Sequence, residues 1–505
     1  MPYIGNQPGT GVRNRFIYTA TASQTTFSGA DNNSKTLSYA DSNYIDVYLN
    51  GVCLEPGTDY TASTKTSVVL TQAASLGDTL KVIAYDVASM DDSISQSAGG
   101  TFQADITLAD GADLITASKG TDNVRLGENA GDSIASGGNN NVTIGKDAGT
   151  ALTTGDDNVA VGHSALKAED ANGRNTAVGF EALLTLNAGA DGENVAVGYR
   201  AGKALTEGIQ NTLIGVQAGD ALTHADYNVA VGRNALSGDT QGHKSTAVGV
   251  GALNVQNHTS STDTHNTAVG YNAGTAVTTG TLNTLIGALN GDSITIGGSN
   301  VGLGYFALTS ETKGSKSVAI GTAALGDQNN SGSATDAYNV AVGQEAGRSL
   351  TTGIRCTYIG AHAGDASTYA SDNVAVGWNS LGANVGGQNN VAIGPYALQT
   401  YNNSSGNDYN TAVGSNAGRD TTTGVSNTYI GGYAGLYTTT NNYTTFVGRA
   451  AGFGVSGTPL TGNFNTSIGY ESGYKLQGSA RTNTFLGTYA GYFNGSTSTA
   501  NGITT

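Results

Sequence analysis

Charge is scarce in this chain, and so are cysteine, proline and long apolar runs. Charged residues are 12% of 505, about half the usual share. Of these, 22 are basic and 38 acidic, a net charge of −16. Without a basic stripe to displace counterions, a nucleic-acid partner is excluded. An anionic membrane surface is an equally poor match. Only two cysteines occur, Cys53 and Cys356, in different regions. They make no disulfide framework, and free thiols fit assembly in a reducing cytosol. No apolar run approaches the length of a membrane span. The opening Met1-Pro2-Tyr3-Ile4-Gly5-Asn6-Gln7-Pro8 is too polar for a secretory signal.

What is abundant is glycine, 75 residues, about twice the usual share, and it is placed periodically. Between Gly127 and Gly487 one phrase recurs twenty-one times, as in Asn175-Thr176-Ala177-Val178-Gly179-Phe180-Glu181-Ala182-Leu183. Most steps between successive rung glycines are 17 residues. A fixed period of this length means stacked, nearly identical units, a solenoid and not a globular enzyme. A second period overlies the first. The residue closing the phrase runs Gly, Gly, Leu, Leu: Gly131, Gly149, Leu166, Leu183, then Gly202, Gly219, Leu236, Leu253. Every fourth step is longer, so sets begin at Gly127, Gly198, Gly270, Gly343 and Gly414, with spacings of 71, 72, 73 and 71. In the second rung of a set the small residue two before the glycine becomes large: Leu213, Leu285, Tyr358 and Tyr429. Thr143 is the exception in the first set, and beyond Gly414 the order decays.

Within a rung two β-branched residues stand two apart, with a small residue between them. A strand points the pair to one face, which is expected to be the core, with the small residue facing outward against another surface. The glycine permits a corner that other residues would strain, and the alanine three residues after it points back inside. The asparagines are expected to ladder along the axis, interrupted by Ser245, Ser317, Cys356 and Thr444. Seventeen residues make about three short sides, the scale of a left-handed β-helix or β-roll. The fold class expected is therefore all-β, a small N-terminal β-sandwich followed by a long left-handed parallel β-solenoid. Residues 1–12 read as an extended arm. Residues 13–90 read as the sandwich, with strands at Arg15–Ala20, Ile45–Leu49, Val52–Leu54, Asp59–Thr61, Ser67–Leu70 and Leu80–Tyr85, and an Asn50-Gly51 hairpin turn. Residues 91–120 are linker and degenerate first rungs, 121–491 the repeat shaft, and 492–505 a tail of Ser, Thr, Asn and Gly.

The phrase Asn266-Thr267-Ala268-Val269-Gly270-Tyr271-Asn272-Ala273-Gly274 resembles the head repeats of trimeric autotransporter adhesins. The N-terminal unit resembles the virion-proximal domain of tail fibres from marine bacteriophages. The residues carrying that likeness are Tyr3-Ile4-Gly5-Asn6, Arg15-Phe16-Ile17-Tyr18-Thr19-Ala20, Thr26-Phe27-Ser28-Gly29, Asp46-Val47-Tyr48-Leu49-Asn50-Gly51-Val52 and Gly57-Thr58-Asp59-Tyr60-Thr61-Ala62. The resemblance implies three chains around one axis and a structural, adhesive role as a homotrimeric tail fibre of the virion, assembled in the host cytoplasm. Its partners would be itself, phage tail proteins and a host cell-surface receptor, protein or glycan. Tyr3, Ile4, Phe16 and Tyr18 are the candidate virion-anchor residues. A bacterial trimeric surface adhesin is the alternative; it would need an export signal and a membrane anchor. A polysaccharide-degrading tail spike is the second alternative.

Catalytic chemistry is not expected. No nucleophile elbow or Ser-His-Asp order appears, and carboxylates such as Glu181 with Asp191, or Glu345 with Asp336, sit in polar loops with nothing to raise a pKa. No cofactor or metal residues are assigned. His258 and His265 flank Asp263 in one long loop, but solvated loop residues are the simpler account. The acidic 189–193 segment lacks the spacing of a calcium loop. Thr-Thr-Gly turns at 153–155, 278–280, 351–353 and 422–424 are too sparse for an ice-matching lattice and read as turns with side-chain-to-backbone bonds. Host contact is expected on the long fourth-rung loops, 184–193, 254–265, 326–338 and 399–409, or at the distal end near residues 470–505. Tyr338, Tyr401, His258 and His265 are the candidate contact residues.

Overall fold

A computed structural model describes residues 12–86, 119–330, 335–404, 406–492 and the backbone strand Gly502–Thr504. The chain divides into two compact units, Met1–Leu114 and Ile115–Thr505. Among the described residues helix is confined to one 3-10 turn, Ser42–Tyr44. Residues 1–11 of the arm, and the linker through 118 with the degenerate first rungs at 105–116, lie outside the described residues.

Among the described residues the first unit has seven strands: β1 Val12–Thr19, β2 Gln24–Ser28, β3 Ile45–Leu49, β4 Val52–Cys53, β5 Tyr60–Thr61, β6 Ser67–Ala74 and β7 Thr79–Asp86. They form two antiparallel sheets, β1-β7-β3-β4 and β2-β6-β5. Asn50 and Gly51 take φ of 48° and 89°, which suits the twist of a two-residue hairpin and pairs Leu49 with Val52. β2 was not among the strands expected from the sequence. Its Gln-Thr-Thr-Phe-Ser has one large apolar residue, Phe27, which is fully buried. Phe16, Tyr18, Phe27, Val47, Val68, Leu80 and Val82 make up one core. Burial, then the nearby Asp31 carboxylate, pushes the Tyr18 phenol up to about 12, and its hydroxyl donates to Gly29 O at 2.9 Å.

In the second unit each of the twenty-one rung glycines follows a short strand, from Val124–Leu126 to Asn483–Leu486. These strands pair in parallel, each with the next in sequence, and Gly502–Thr504 adds a last one. The result is a parallel β-solenoid with one rung per repeat, extending at strand spacing for roughly 100 Å. Among the described residues two short parallel ladders lie beside the main one: Gly242–His243 with Thr262–Asp263, and Gly387–Gln388 with Gly406–Asn407.

The faces of the rung strand are reversed from the sequence expectation. Ala160, Ala177, Ala196, Ala230 and Ala247 are fully buried, and the β-branched residues either side are half-buried on the outside. Alternation fixes which residues share a face but not which face is the inner one. The coil is too narrow for two β-branched rows inside. Its interior is filled by the central strand residue, the alanine three after the glycine and the Gly or Leu that follows. The small residue is small because it faces its own coil.

This packing accounts for the four-rung period. A rung ending in Leu fills the interior with that leucine and keeps a small residue on its strand, as Leu183 with Ala177 and Leu308 with Gly302. Gly-ending rungs leave room, and the large residue of the second rung takes it. A Cβ on Gly347 or Gly364 would lie 2.7 Å from the Tyr358 ring, and one on Gly202 2.7 Å from Leu213. A third position compensates in turn. Leu213 and Leu285 pack with Leu222 and Ile294, but the larger Tyr358 and Tyr429 are met by Ser367 and Thr438, whose hydroxyls lie 3.0 and 3.2 Å from the phenols.

The rung glycine is dictated twice over. Gly287 has φ +135°, and a Cβ there would sit 2.4 Å from the carbonyl oxygen of Gly304, the next rung glycine. The asparagine column is in part the amide-to-amide ladder expected, as where Asn194 Nδ2 donates to Asn175 Oδ1 at 3.2 Å and Asn211 Nδ2 to Asn194 Oδ1 at 3.1 Å, and elsewhere its bonds go to backbone. Asn283 receives the backbone N–H of Asn300 on Oδ1 at 3.1 Å, sends its own N–H to Asn266 Oδ1 at 2.9 Å, and donates Nδ2 to Gly297 O at 2.9 Å. Each amide thus bridges to the next rung and across its own coil. Ser245 and Ser317 are too short for the crossing, and Gln256 and Gln328 supply it. Gln256 donates to Ser245 Oγ at 3.0 Å and accepts from Asn266 Nδ2 at 2.8 Å. Gln328 does the same for Ser317 and Asn339 at 3.0 and 2.9 Å.

Candidate functional site

The long fourth-rung loops are anchored from below by a buried polar side chain. The seventh residue after the third-rung glycine is Glu169, Asp239, Glu311 or Asn384 in successive sets, and all are fully buried inside the coil. Glu311 Oε1 accepts from the backbone N–H groups of Thr312, Lys313, Gly314 and Asn330 at 2.8, 3.0, 2.6 and 3.2 Å. Its Oε2 accepts from Gln328 Nε2 and Asn330 Nδ2 at 2.7 and 3.0 Å. Asp239 Oδ1 accepts from Gly242 N at 3.2 Å and His258 N at 2.9 Å. Glu169 accepts from Asp170 N, Asn172 N and Ala188 N, each at 3.2 Å. Each carboxylate therefore holds the start of the longer rung above it. In the fourth set the residue is Asn384, and the carboxylate has moved into the loop as Asp408, which accepts from Gln388 N at 3.0 Å and Asn403 Nδ2 at 2.7 Å.

These acids are desolvated, and their surroundings decide the sign of the effect. Burial holds the Glu169 carboxyl above the ordinary range, against the donors around it. Burial acts the same way on Asp239, but donors from His258 and Gln256 outweigh it and hold that carboxyl low. The sequence reading missed all of these positions. The signal was present as an acidic or amide residue recurring once per set at a place that is Leu, Ile or Val in the two preceding rungs, Ser367 excepted.

The candidate contact residues divide. Tyr338 is half exposed, with Lys316 Nζ 5.1 Å from its ring centroid and its hydroxyl 3.1 Å from Asp336 Oδ2. His265 is exposed at a left-handed corner, φ 50°. Tyr401 and His258 are buried, which corrects their assignment as surface contacts. Tyr401 occupies the inward place seven after Gly394, where burial pushes its phenol up. His258 lies over Asp239, with Nδ1 3.7 Å from Oδ2. Of the candidate anchor residues, Phe16 and Tyr18 belong to the sandwich core, so neither side chain presents a docking surface. Tyr3 and Ile4 lie outside the described residues.

The surface carboxylates weighed for hydrolysis each face a cation. Glu181 lies 2.9 Å from both Arg200 and Lys203, Asp191 2.9 Å from Arg174, Asp336 2.6 Å from Lys316 and Glu345 3.3 Å from Arg348. A bond from Lys203 holds the Glu181 carboxyl low despite some desolvation, and Lys316 does the same for Asp336, the opposite of what a general acid needs. Arg174 also lies 3.4 Å from Glu193, so a guanidinium occupies the acidic 189–193 segment. Threonine hydroxyls eight after the glycine donate along the axis, as Thr278 to Thr295 O at 3.1 Å and Thr351 to Thr368 O at 2.9 Å. Their donors are engaged within the coil. Among the described residues no group of three or more His, Cys, Asp or Glu side chains is placed to hold a metal ion. No helix of the described residues is long and apolar enough to cross a membrane. No protein-family model, no curated protein and no solved structure matches the chain.

Proposed function

We propose that the chain is a structural, adhesive protein, a homotrimeric phage tail fibre. In this reading its N-terminal domain docks to the tail, and its repeats form left-handed β-rolls packed around a common axis and directed towards a host receptor. The observation that carries the reading is the outer face of the rung strands. One column, three before each glycine, is Val or Thr at all twenty-one rungs, and its neighbour, one before the glycine, is Val, Ile or Leu at all twenty-one. Not one charge interrupts a stripe about 100 Å long. Ile214, Ile286, Ile359 and Ile430 on it are 37–41% exposed. Exposed apolar stripes of this extent mark interaction surfaces, and a uniform parallel ladder is matched in register by copies of itself.

Replacing outer residues tests this without disturbing the coil interior. The chain is expected at three times its 50.8 kDa by native mass spectrometry. Ile286→Lys with Ile359→Lys is expected to shift it to a folded monomer. A wild-type chain that is a stable monomer at micromolar concentration overturns the trimer. An isolated N-terminal unit that fails to bind fibreless particles, while residues 91–505 bind them, overturns the assigned polarity.

A further inference from the structure

The residue just after each rung glycine forms a column along one corner of the coil. Its register is set by backbone bonds: Leu289 N to Tyr271 O at 2.8 Å, Phe306 N to Ala288 O at 3.3 Å, Asn379 N to Ala361 O at 3.0 Å and Tyr396 N to Trp378 O at 2.9 Å. Exposed aromatic rings in this column are of two kinds. Phe180 stacks on His163 and on Tyr199, with centroids 5.3 Å apart and planes within 14° and 10°, and Arg200 lies 4.9 Å from the Tyr199 centroid. Those faces are covered by their neighbours. Tyr271, Tyr305 and Trp378 are 57%, 48% and 49% exposed, and the column beside them is small. Ala288 stands between Tyr271 and Tyr305, and Ala361 precedes Trp378. Where a second ring approaches, it comes steeply inclined, Phe306 to Tyr305 at 62° and Tyr396 to Trp378 at 72°. Trp378 is the only tryptophan in the chain, and it lies outside the core.

The polar groups along this corner are Asn272, Thr322, Gln344 and Asn379, short side chains that supply both donors and acceptors. The polar groups near Trp378 engage one another: His362 lies 3.6 Å from Glu345 and 3.4 Å from Asp365, and Arg348 lies 3.3 Å from Glu345. From Tyr271 to Trp378 the column climbs six rungs, about 29 Å at strand spacing. Hot spots for a globular protein cluster at the centre of an interface, whereas these rings are strung along a line. The geometry points to a saccharide-binding corner, on which a neutral cell-surface polysaccharide lies along the axis. The C–H faces of its pyranose rings stack on Tyr271, Tyr305 and Trp378, and its hydroxyls meet the flanking amides. This rests on the adhesive reading above and names the class of receptor.

The single tryptophan makes the test direct. The full-length protein is titrated with neutral gluco-, manno- and galacto-hexasaccharides, and with hexagalacturonate and polyglutamate as acidic probes, while Trp378 fluorescence and its quenching by acrylamide are followed. A neutral saccharide is expected to give a saturable blue shift and at least threefold protection from quenching, and raising salt tenfold is expected to change Kd less than twofold. Ala288→Arg, which fills the space between the two tyrosines on the exposed corner, and Trp378→Ala, read by calorimetry, are each expected to weaken binding at least tenfold with an unchanged circular dichroism spectrum. No response to any neutral saccharide, a response to acidic probes alone, or unchanged affinity in both variants overturns the inference. Adsorption to cells separates it from the adhesive reading. Equal adsorption to periodate-oxidised and untreated cells sinks the saccharide corner and leaves adhesion standing. Saccharide binding at Trp378 with no adsorption to any cell does the reverse.

Discussion

Replacing Glu311 by alanine would unfasten one loop and leave the rest of the coil in place. The side chain is fully buried and receives six hydrogen bonds, four from backbone N–H groups on Oε1 and two from side-chain amides on Oε2. Each buried donor left without an acceptor costs roughly 1–3 kcal/mol, and the six share one site and do not add. Entering water would satisfy part of the set, so the net local loss is about 3–5 kcal/mol, the range for removing one partner of a buried charge network. A long repeat array does not unfold as one unit, and a global melting temperature would blur the effect. Hydrogen exchange read by mass spectrometry is the suitable assay. A loss of about 3 kcal/mol in local opening speeds exchange roughly a hundredfold. That acceleration is expected in peptides covering residues 309–330, with rungs before Gly287 and after Gly360 unchanged. Glu311→Gln keeps the volume but turns an NH2 towards donors, so it is expected to fall between. Glu345→Gln, on the surface, is the control. Exchange within threefold of wild type in Glu311→Ala would show that the loop is held by its outer contacts, and the anchoring role would be lost.

Two further outcomes follow from the same interior. Tyr358→Ala should cost about 3–5 kcal/mol through the cavity it leaves, and Gly364→Leu alone should destabilise by clash with the ring 2.7 Å from its Cβ. The double variant recreates an Ala-and-Leu rung and should be more stable than either, a coupling of about 2 kcal/mol in thermal unfolding; strict additivity refutes the packing code. Acidification should move two anchors in opposite senses. Glu169 has a raised folded pKa, so its contribution is full below an unfolded value of about 4.3 and is lost as pH rises through the folded value. Asp239 has a lowered one, so its contribution is present above about 3.9 and is lost as pH falls through the folded value. Between pH 7 and 3, exchange corrected for intrinsic rate should slow at 187–193 and quicken at 257–264, and parallel changes in the two loops argue against the assignment.

The rung, its period and its four-rung super-period were legible in the sequence because they rest on position alone. Glycine is forced at Gly287 by its φ and by the neighbouring carbonyl, and any such constraint repeats once per coil. The inner and outer faces were not legible, because Val-Ala-Val alternates identically whichever side is buried. A rule that large apolar residues go inside fails for a coil whose interior holds only one row per side. The site residues suffered likewise. Tyr401 and His258 read as polar-loop residues because they stand in the long loops, yet Tyr401 keeps the inward place seven after its glycine, and His258 turns in over the buried Asp239. The carboxylates at Glu169, Asp239 and Glu311 escaped because a buried acid in a tube of leucine contradicts ordinary hydropathy. It becomes readable only when super-repeats are laid over one another, where Gln256 with Ser245 and Gln328 with Ser317 appear as matched exchanges.

The closure of the four-rung packing has a consequence for how such a coil changes length. Leu183 fits below Gly202 because the next strand brings Leu213, and the large residue of a second rung fits only between two glycines. Removing a single first rung would set the large second-rung residue against a closing leucine in place of a glycine, and removing a third would part a loop from the acid beneath it. Whole sets begin and end on compatible surfaces, so they can be copied or lost without repacking the join. The natural increment of length is therefore a quartet, close to 72 residues and about 19 Å. Selection on reach would move a molecule of this kind in discrete strides, with orthologues expected to differ by multiples of that quartet.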